Sequence, residues 1–466
     1  MLLLRLCWAV ALLSAASAAD NVTDLYKLPA KVLIGAGVSA LQTEGAWNVE
    51  NKGESQADYL FHLGTLPFPG SHDDAADSYR RFREDIAMAK QLKLQLYRFS
   101  FSWSRLLPTA DSKHPNDYAV KYYNDFLDEV IRNNMTPMVT LYHFDHPQIL
   151  QKDFLGWENE TMITKFTEYA DFAFNTFGKK VKHWATINEP NFYCMYFNLL
   201  FVQSGELKPD DVDTMRCMRH FTLAHTKVYR LYQEKYRAEQ QGKVGVSIVF
   251  FHAQPTTNKP EDIYAAEVFN ELHVGTVLHP IVYGHYPGHV QKLVHGLPDF
   301  SDAEKQQLKD STDFVGINVY SGVTVSYTTN PADSAVSPVF GTAMKGIDFI
   351  HFETPPGMDF SSIKPDVIRR TTLWTWQRYG KPIVISENGY GGSPSQGIHD
   401  HDRAYLRSLV STVNEFGIDL LAYVAWSLID CYEWSAGYRL VQRIRRAKLL
   451  ILSTSHPECL QGGSTM

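Results

Sequence analysis

Eight times along this chain a short, β-rich apolar run is followed by a helical stretch, and that alternation narrows the folds open to it. The runs cover residues 32–35, 94–99, 138–142, 183–187, 244–249, 314–318, 383–386 and 421–426. They are apolar on both faces, as strands of a parallel sheet covered by helices must be. Between the first two, residues 75–92 carry Ala76, Tyr79, Phe82, Ile86, Ala89 and Leu92 at close to helical period. Residues 118–133 and 161–177 behave similarly. Eight such units fit a single (β/α)8 TIM barrel. A doubly wound open sheet fits the pattern too, but no Gly-rich phosphate fingerprint follows the first run.

A parallel barrel carries its function at the C-terminal ends of its strands. There the sequence sets Arg98, then His143 and Asp145, then Asn188-Glu189-Pro190. Asn318 and Tyr320 follow, then Glu387-Asn388-Gly389, and last Asp430, Glu433 and Trp434. Glu189 and Glu387 come straight off strand ends.

Composition removes several classes. With 466 residues, 44% hydrophobic and 20% charged, the chain builds a sizeable core and is not a disordered polymer. A net charge of −7 argues against a nucleic-acid partner. No segment reaches the run of about eighteen apolar residues that spans a bilayer, so no membrane partner is expected. Aromatic residues make up 13%, which suits a core and also suits flat apolar ligands such as sugar rings.

The N-terminus reads as a secretory leader: Arg5, an apolar run from Leu6 to Leu13, then Ala16-Ser17-Ala18. Cleavage after Ala18 is expected, and with it a secreted, extracellular protein. Sequons at Asn21, Asn134 and Asn159 agree with glycosylation on that route. Cys7 leaves with the leader. Of Cys194, Cys217, Cys431 and Cys459, the nearest pair is Cys194 with Cys217, and one bridge is open to an oxidised chain. No Cys or His spacing marks a metal site. His143 and His146 stand three apart but lack an arguable third ligand.

Five segments carry a family resemblance: Gln42-Thr43-Glu44-Gly45-Ala46-Trp47, the stretch from Tyr97 to Arg105, Thr186-Ile187-Asn188-Glu189-Pro190, Ile385-Ser386-Glu387-Asn388-Gly389, and Ala425-Trp426-Ser427-Leu428. From about residue 25 to Tyr438 the chain resembles glycoside hydrolase family 1, the β-glucosidase and myrosinase family, and within it the secreted animal enzymes. The resemblance implies a general acid/base at Glu189 and a nucleophile at Glu387. It implies sugar-hydroxyl partners at Gln42, His143, Asn188 and Glu433, with aromatic walls at Trp426 and Trp434. Arg98 and Tyr320 would hold the nucleophile, and Asn318 would join that network. The substrate would be a small-molecule glycoside, with no cofactor and no metal; oligomeric state stays open. The chemistry suits such a pair. A retaining glycosidase needs two carboxyls about 5–5.5 Å apart, and only a closed barrel brings two residues so distant in sequence together. Glu387 nearby would keep Glu189 protonated, and a cation beside Glu387 would keep it ionised.

Plain structural readings stand beside these. His143 could be a satisfied core histidine, Trp426 barrel core, Glu433 a solvated loop carboxylate and Arg98 a structural ion pair. Trp47 and Trp103 are read as packing. Three positions depart from the family pattern: Phe144 replaces a tryptophan and drops its N–H donor, Val319 replaces a polar or aromatic residue, and Ala57 stands where tryptophan is common. The C-terminus departs further. The expected organisation is a leader at 1–18, a barrel at 19–438 and a divergent tail at 439–466 outside the barrel. The last βα cover is thus truncated or replaced. Uncovered apolar strand surface costs about 25 cal/mol per Å². The basic residues Arg443, Arg445, Arg446 and Lys448 are read as part of an unselected tail.

The leading function is therefore a retaining β-glycosidase acting on terminal β-D-glucosides. An insect-type myrosinase keeps both glutamates and stays open. A non-catalytic binding protein of the klotho kind typically loses one of them, whereas both are present here. A truncated inactive product is the remaining alternative, raised by the tail alone.

Overall fold

The computed structural model describes residues 25–66, 69–330, 347–354, 364–391, 397–434 and 437. The expected leader, the sequon at Asn21 and the expected tail lie outside the described residues, and so does the expected loss of the last cover.

In chain order the strands are β1 (Leu33–Gly37), β2 (Leu96–Ser100), β3 (Thr136–Tyr142), β4 (His183–Asn188), β5 (Lys243–Val249), β6 (His252–Pro255), β7 (Phe314–Asn318), β8 (Gly322–Tyr327), β9 (Ile350–Thr354), β10 (Ile383–Glu387) and β11 (Leu420–Trp426). Strands β1, β2, β3, β4, β5, β7, β10 and β11 form a closed barrel in that order, and every pairing is parallel. Closure is made by β1 against β11, from Leu33 opposite Ala422 to Gly37 opposite Trp426. Leu96, Met138, Ala185, Phe314, Val384, Ala422 and Val424 cluster apart from the main core and fill the lumen. The eight expected runs are these eight strands, with ends shifted by a residue or two.

The helices pack outside. α1 (Gln56–His62) is held by a capping box between Ser55 and Asp58. α2 (Ser78–Gln91) buries Tyr79, Phe82, Ile86 and Ala89 on one face. It starts later than the periodicity suggests because Asp77 takes a left-handed backbone (φ +53°) and stops the helix there. α3 (Asp117–Arg132) begins where the Asn116 side chain accepts from the backbone N–H of Tyr118. Phe82 and Phe126 stack between α2 and α3, centroids 5.3 Å apart. α4 (Thr161–Phe177) and α5 (Thr214–Leu231) cover β3 to β5. Cys194, in the helical stretch after β4, is bridged to Cys217 on α5.

A second sheet, β6-β8-β9, was not legible as strands in the sequence. Its first two strands follow β5 and β7 almost without a break, so it stands at the C-terminal rim of the barrel. Among the described residues no helix is long and apolar enough to cross a membrane.

Candidate active site

The C-terminal strand ends converge as a parallel barrel requires. Asn188 closes β4, Asn318 closes β7, Glu387 closes β10 and Trp426 closes β11. Arg98 lies within β2, and His143 follows β3 directly. Glu189 adopts a left-handed backbone (φ +47°), a conformation that costs a non-glycine residue energy and recurs at functional sites. Its N–H donates to the Ser247 carbonyl and its own carbonyl accepts from Tyr193, which locks the turn from strand into helix.

Glu387 is held from two sides. Arg98 Nη1 donates to its Oε1 at 2.6 Å, and the Tyr320 hydroxyl donates to its Oε2 at 2.6 Å. The second Arg98 nitrogen, Nη2, donates to Asn188 Oδ1 at 2.7 Å. Asn318 Nδ2 donates to Glu189 Oε1 at 2.7 Å and reaches Asn188 Oδ1 at 3.1 Å. Two donors on Asn188 Oδ1 fix the orientation of that amide and turn Nδ2 toward His143 Nε2, 3.3 Å away. Ser386 completes the web, donating to Asn318 Oδ1 at 2.6 Å.

The two glutamates meet different surroundings. Burial, and then the charge of Glu387, raise the Glu189 carboxyl well above the ordinary glutamate range, against the opposing donation from Asn318. Burial holds the His143 imidazole neutral, with the Arg98 charge adding to the effect. Tyr320 is pushed far above the phenol range, chiefly by burial, so it stays a donor.

Gln42, His143, Phe144, Asn188, Glu189, Phe192, Val249, Phe251, Tyr320, Glu387, Trp426, Glu433 and Trp434 line one pocket of about 500 Å³, its open mouth included. One wall is the Trp426 ring, which stacks parallel to His143 with centroids 5.8 Å apart. The lining combines hydrogen-bonding side chains with flat aromatic faces.

The sequence profile of Glycosyl hydrolase family 1 matches residues 25–442. The chain belongs to that family. It is 34% identical over 447 residues to Beta-glucosidase 42 of Arabidopsis thaliana, covering 90% of each chain. Among solved structures, an aphid myrosinase superimposes with a TM-score of 0.81 at 31% identity, covering 90% of this chain and 93% of that one. A mutant of the rice β-glucosidase Os3BGlu6, in a covalent complex with Glc, superimposes with a TM-score of 0.79 at 27% identity over 89% of this chain and 93% of that one. The protein is thus a glycoside hydrolase, and the profile extends four residues beyond the barrel end expected from the sequence.

All eleven residues singled out as site residues fall in this family 1 pocket or in the web behind it. Two were not foreseen. Ser386, inside a recognised motif, orients Asn318. Cys431 is buried and free, with Sγ 2.9 Å from Glu433 Oε1, an oxygen that also accepts from Trp426 Nε1 at 3.2 Å. Its place two residues before Glu433 was the available signal. Glu433 itself is pushed up to about 7, mainly by burial. Gln42 is fixed at both ends, accepting from Ser39 Oγ and donating to the Tyr432 carbonyl.

Phe144 is buried with a left-handed backbone (φ +64°), and its ring packs between Phe197 and Trp434 at 5.3 and 5.5 Å. Phenylalanine fills that space without a donor. Val319 and Ala57 are fully buried and pack as core. Trp103 is packing too, stacked on Tyr169, while Trp47 rests against His62. Asn134 is exposed just after α3, whereas Asn159 is half-buried and its side-chain oxygen accepts from Thr161 N–H at the start of α4.

Proposed function

We propose that the protein is a retaining β-glycosidase acting on terminal β-D-glucosides. The observation that carries this is the unequal treatment of two glutamates on one pocket: Glu387 receives an Arg98 guanidinium and a Tyr320 hydroxyl, while Glu189 is buried beside that charge and favours its neutral form. In this reading Glu189 gives its proton to the glycosidic oxygen as the C1–O bond breaks. Glu387 supplies the electron pair to C1, forming a glycosyl ester. The negative charge beside Glu189 is then gone and its carboxyl ionises more readily. It takes a proton from water, water oxygen bonds to C1, and the ester bond to Glu387 breaks. The covalent Glc complex of the rice relative supports the ester step.

Gln42, His143, Asn188 and Glu433 would hold the sugar hydroxyls, with Trp426 and Trp434 as walls. The chain's own residues suffice for this acid/base and nucleophile chemistry. We also propose that it is secreted, a reading supported by the Cys194–Cys217 bridge. A second reading, thioglucosidase action on glucosinolates, is favoured by the likeness to the aphid myrosinase.

Purified protein is incubated with an aryl β-glucoside and, separately, with a glucosinolate, next to Glu387→Gln. Release of the phenol by wild type alone is the expected result. Equal release by the variant would overturn the nucleophile assignment. A 2-fluoro-glucoside should stop turnover and add its mass to the peptide containing Glu387.

A further inference from the structure

We infer that Tyr405, in the helical layer outside the barrel, is a positioning residue for the reaction: it fixes the backbone from which Tyr320 reaches Glu387. The assignment rests on the glycosidase reading, because it concerns how the nucleophile is aimed.

Three consecutive residues, Asn318-Val319-Tyr320, carry a donor for each glutamate. Asn318 Nδ2 reaches Glu189 Oε1 at 2.7 Å, and the Tyr320 hydroxyl reaches Glu387 Oε2 at 2.6 Å. Val319 between them is fully buried in the core. Asn318 is still part of β7, but Tyr320 lies past the end of that strand and before β8 begins. Buried carbonyls that have left a sheet ladder need other partners. Here side chains supply them. Asn388 Nδ2 donates to the Val319 carbonyl at 2.7 Å, and the Tyr405 hydroxyl donates to the Tyr320 carbonyl at 3.2 Å. The Asn388 amide is oriented for this because its Oδ1 accepts from the Tyr423 hydroxyl at 2.8 Å.

Tyr405 lies on α6 (Gly397–Phe416), the helix between β10 and β11. His401, Tyr405 and Leu409 are buried at four-residue spacing and so share one helix face. The His401 ring stacks on Tyr405 with centroids 4.0 Å apart, which fixes the plane of the phenol. The same hydroxyl accepts from Lys364 N–H at 3.3 Å, so its proton is directed to the Tyr320 carbonyl. Tyr405 meets the backbone of Tyr320 and leaves the Tyr320 hydroxyl to Glu387.

The consequence for the chemistry is geometric. Arg98 holds Glu387 Oε1 and Tyr320 holds Oε2, so a displaced phenol would let the carboxylate turn about its bond to Arg98. A nucleophile off its line of approach loses rate steeply, whereas the groups that face the sugar hydroxyls stay where they are.

The test is a double-mutant cycle on the full chain, using a dinitrophenyl β-glucoside, whose leaving group needs little acid help. Tyr405→Phe removes one hydroxyl and keeps the stacked ring. It should cut kcat/KM by about 10-fold and slow inactivation by a 2-fluoro-glucoside by the same factor. The inhibition constant of glucose should change by less than about 2-fold, since ground-state sugar contacts are untouched. In a Tyr320→Phe background, adding Tyr405→Phe should cost at most about 2-fold, because the hydroxyl it aims is already gone. Tyr286→Phe removes a buried hydroxyl that donates to the Pro298 carbonyl elsewhere and should keep kcat/KM. Wild-type kcat/KM in Tyr320→Phe would overturn the role of Tyr320 and that of Tyr405 with it. Loss in Tyr320→Phe, with Tyr405→Phe costing the same factor in both backgrounds, would overturn the positioning role alone. So would unchanged kcat/KM in Tyr405→Phe, or a glucose inhibition constant that rises in step with the lost rate.

Discussion

Arg98 Nη1 sits 2.6 Å from Glu387 Oε1, and neither side chain is more than 5% exposed. The pair joins β2 to β10 across the barrel mouth, and the same guanidinium carries Asn188 on its other nitrogen. Removing one partner of a buried pair costs about 3–5 kcal/mol, because the other charge is left uncompensated. Arg98→Met should therefore lower the melting temperature and cut kcat/KM on an aryl glucoside by about 100-fold or more. Arg98→Lys should lose less stability but still lose rate, since a single ammonium cannot serve Glu387 and Asn188 in the same geometry. Unchanged kcat/KM in Arg98→Met would remove the ion pair from the chemistry.

Glu189 makes a pH prediction with a defined sign. Asn318 donates to its Oε1, which favours the ionised form and opposes the effects of burial and of Glu387. In Asn318→Ala that opposition disappears, so the carboxyl rises further. If Glu189 supplies the proton, the basic limb of kcat/KM against pH should move to higher pH in the variant. A shift to lower pH would show that another group controls that limb.

The same carboxyl governs stability. Because its folded-state value is raised, the native protein keeps a proton that the unfolded chain has already lost. That contribution is complete below the ordinary glutamate range and falls away as pH rises toward the raised value. Glu189→Gln cannot ionise and escapes the loss. Its melting temperature relative to wild type should therefore climb between about pH 5 and about pH 8. A constant difference across that range would mean that Glu189 titrates alike in both states.

Much of this architecture could be read from the chain because each barrel strand is a continuous apolar run. Asn188, Glu387 and Trp426 mark strand ends by being the first functional groups after such a run. The second sheet escaped for the opposite reason. His252-Ala253-Gln254-Pro255 has neither alternation nor a β-branched residue, and its pairing with Gly322–Tyr327 is a long-range fact. The buried hydrogen bond between Asp58 and His72 escaped because partners fourteen residues apart leave no period in the sequence. Cys431 escaped because a single thiol beside a motif carries no pattern at all.

The Cys194–Cys217 bridge spans 23 residues and ties the segment after Glu189 to α5. Closing a loop of this size in the unfolded chain is worth about 3 kcal/mol. Cys217→Ala should unfold at correspondingly lower denaturant, with a slope somewhat steeper because the uncrosslinked unfolded chain exposes more surface. Non-reducing peptide mapping of wild type should recover the two cysteines as one linked species. Equal midpoints for wild type and variant would assign the bridge no role in stability.

Cys431 offers the sharpest reading of how the pocket treats a sugar. Its Sγ and the Trp426 indole share one oxygen of Glu433, at 2.9 and 3.2 Å. Burial pushes Glu433 up to about 7, and the donation from Cys431 works in the opposite direction. In Cys431→Ala the carboxyl loses that donor and rises further, so at neutral pH a larger share is protonated and a worse acceptor for a sugar hydroxyl. KM for a β-glucoside should rise by about 5–10-fold, less than the full worth of a charge-assisted hydrogen bond because only part of the population changes protonation state, and the rise should grow as pH falls. Since Cys431 touches neither Glu189 nor Glu387 among its described contacts, kcat should change much less than KM. Cys431→Ser keeps a donor of similar reach and should restore KM. If alanine and serine behave alike, the thiol fills space and does not tune Glu433.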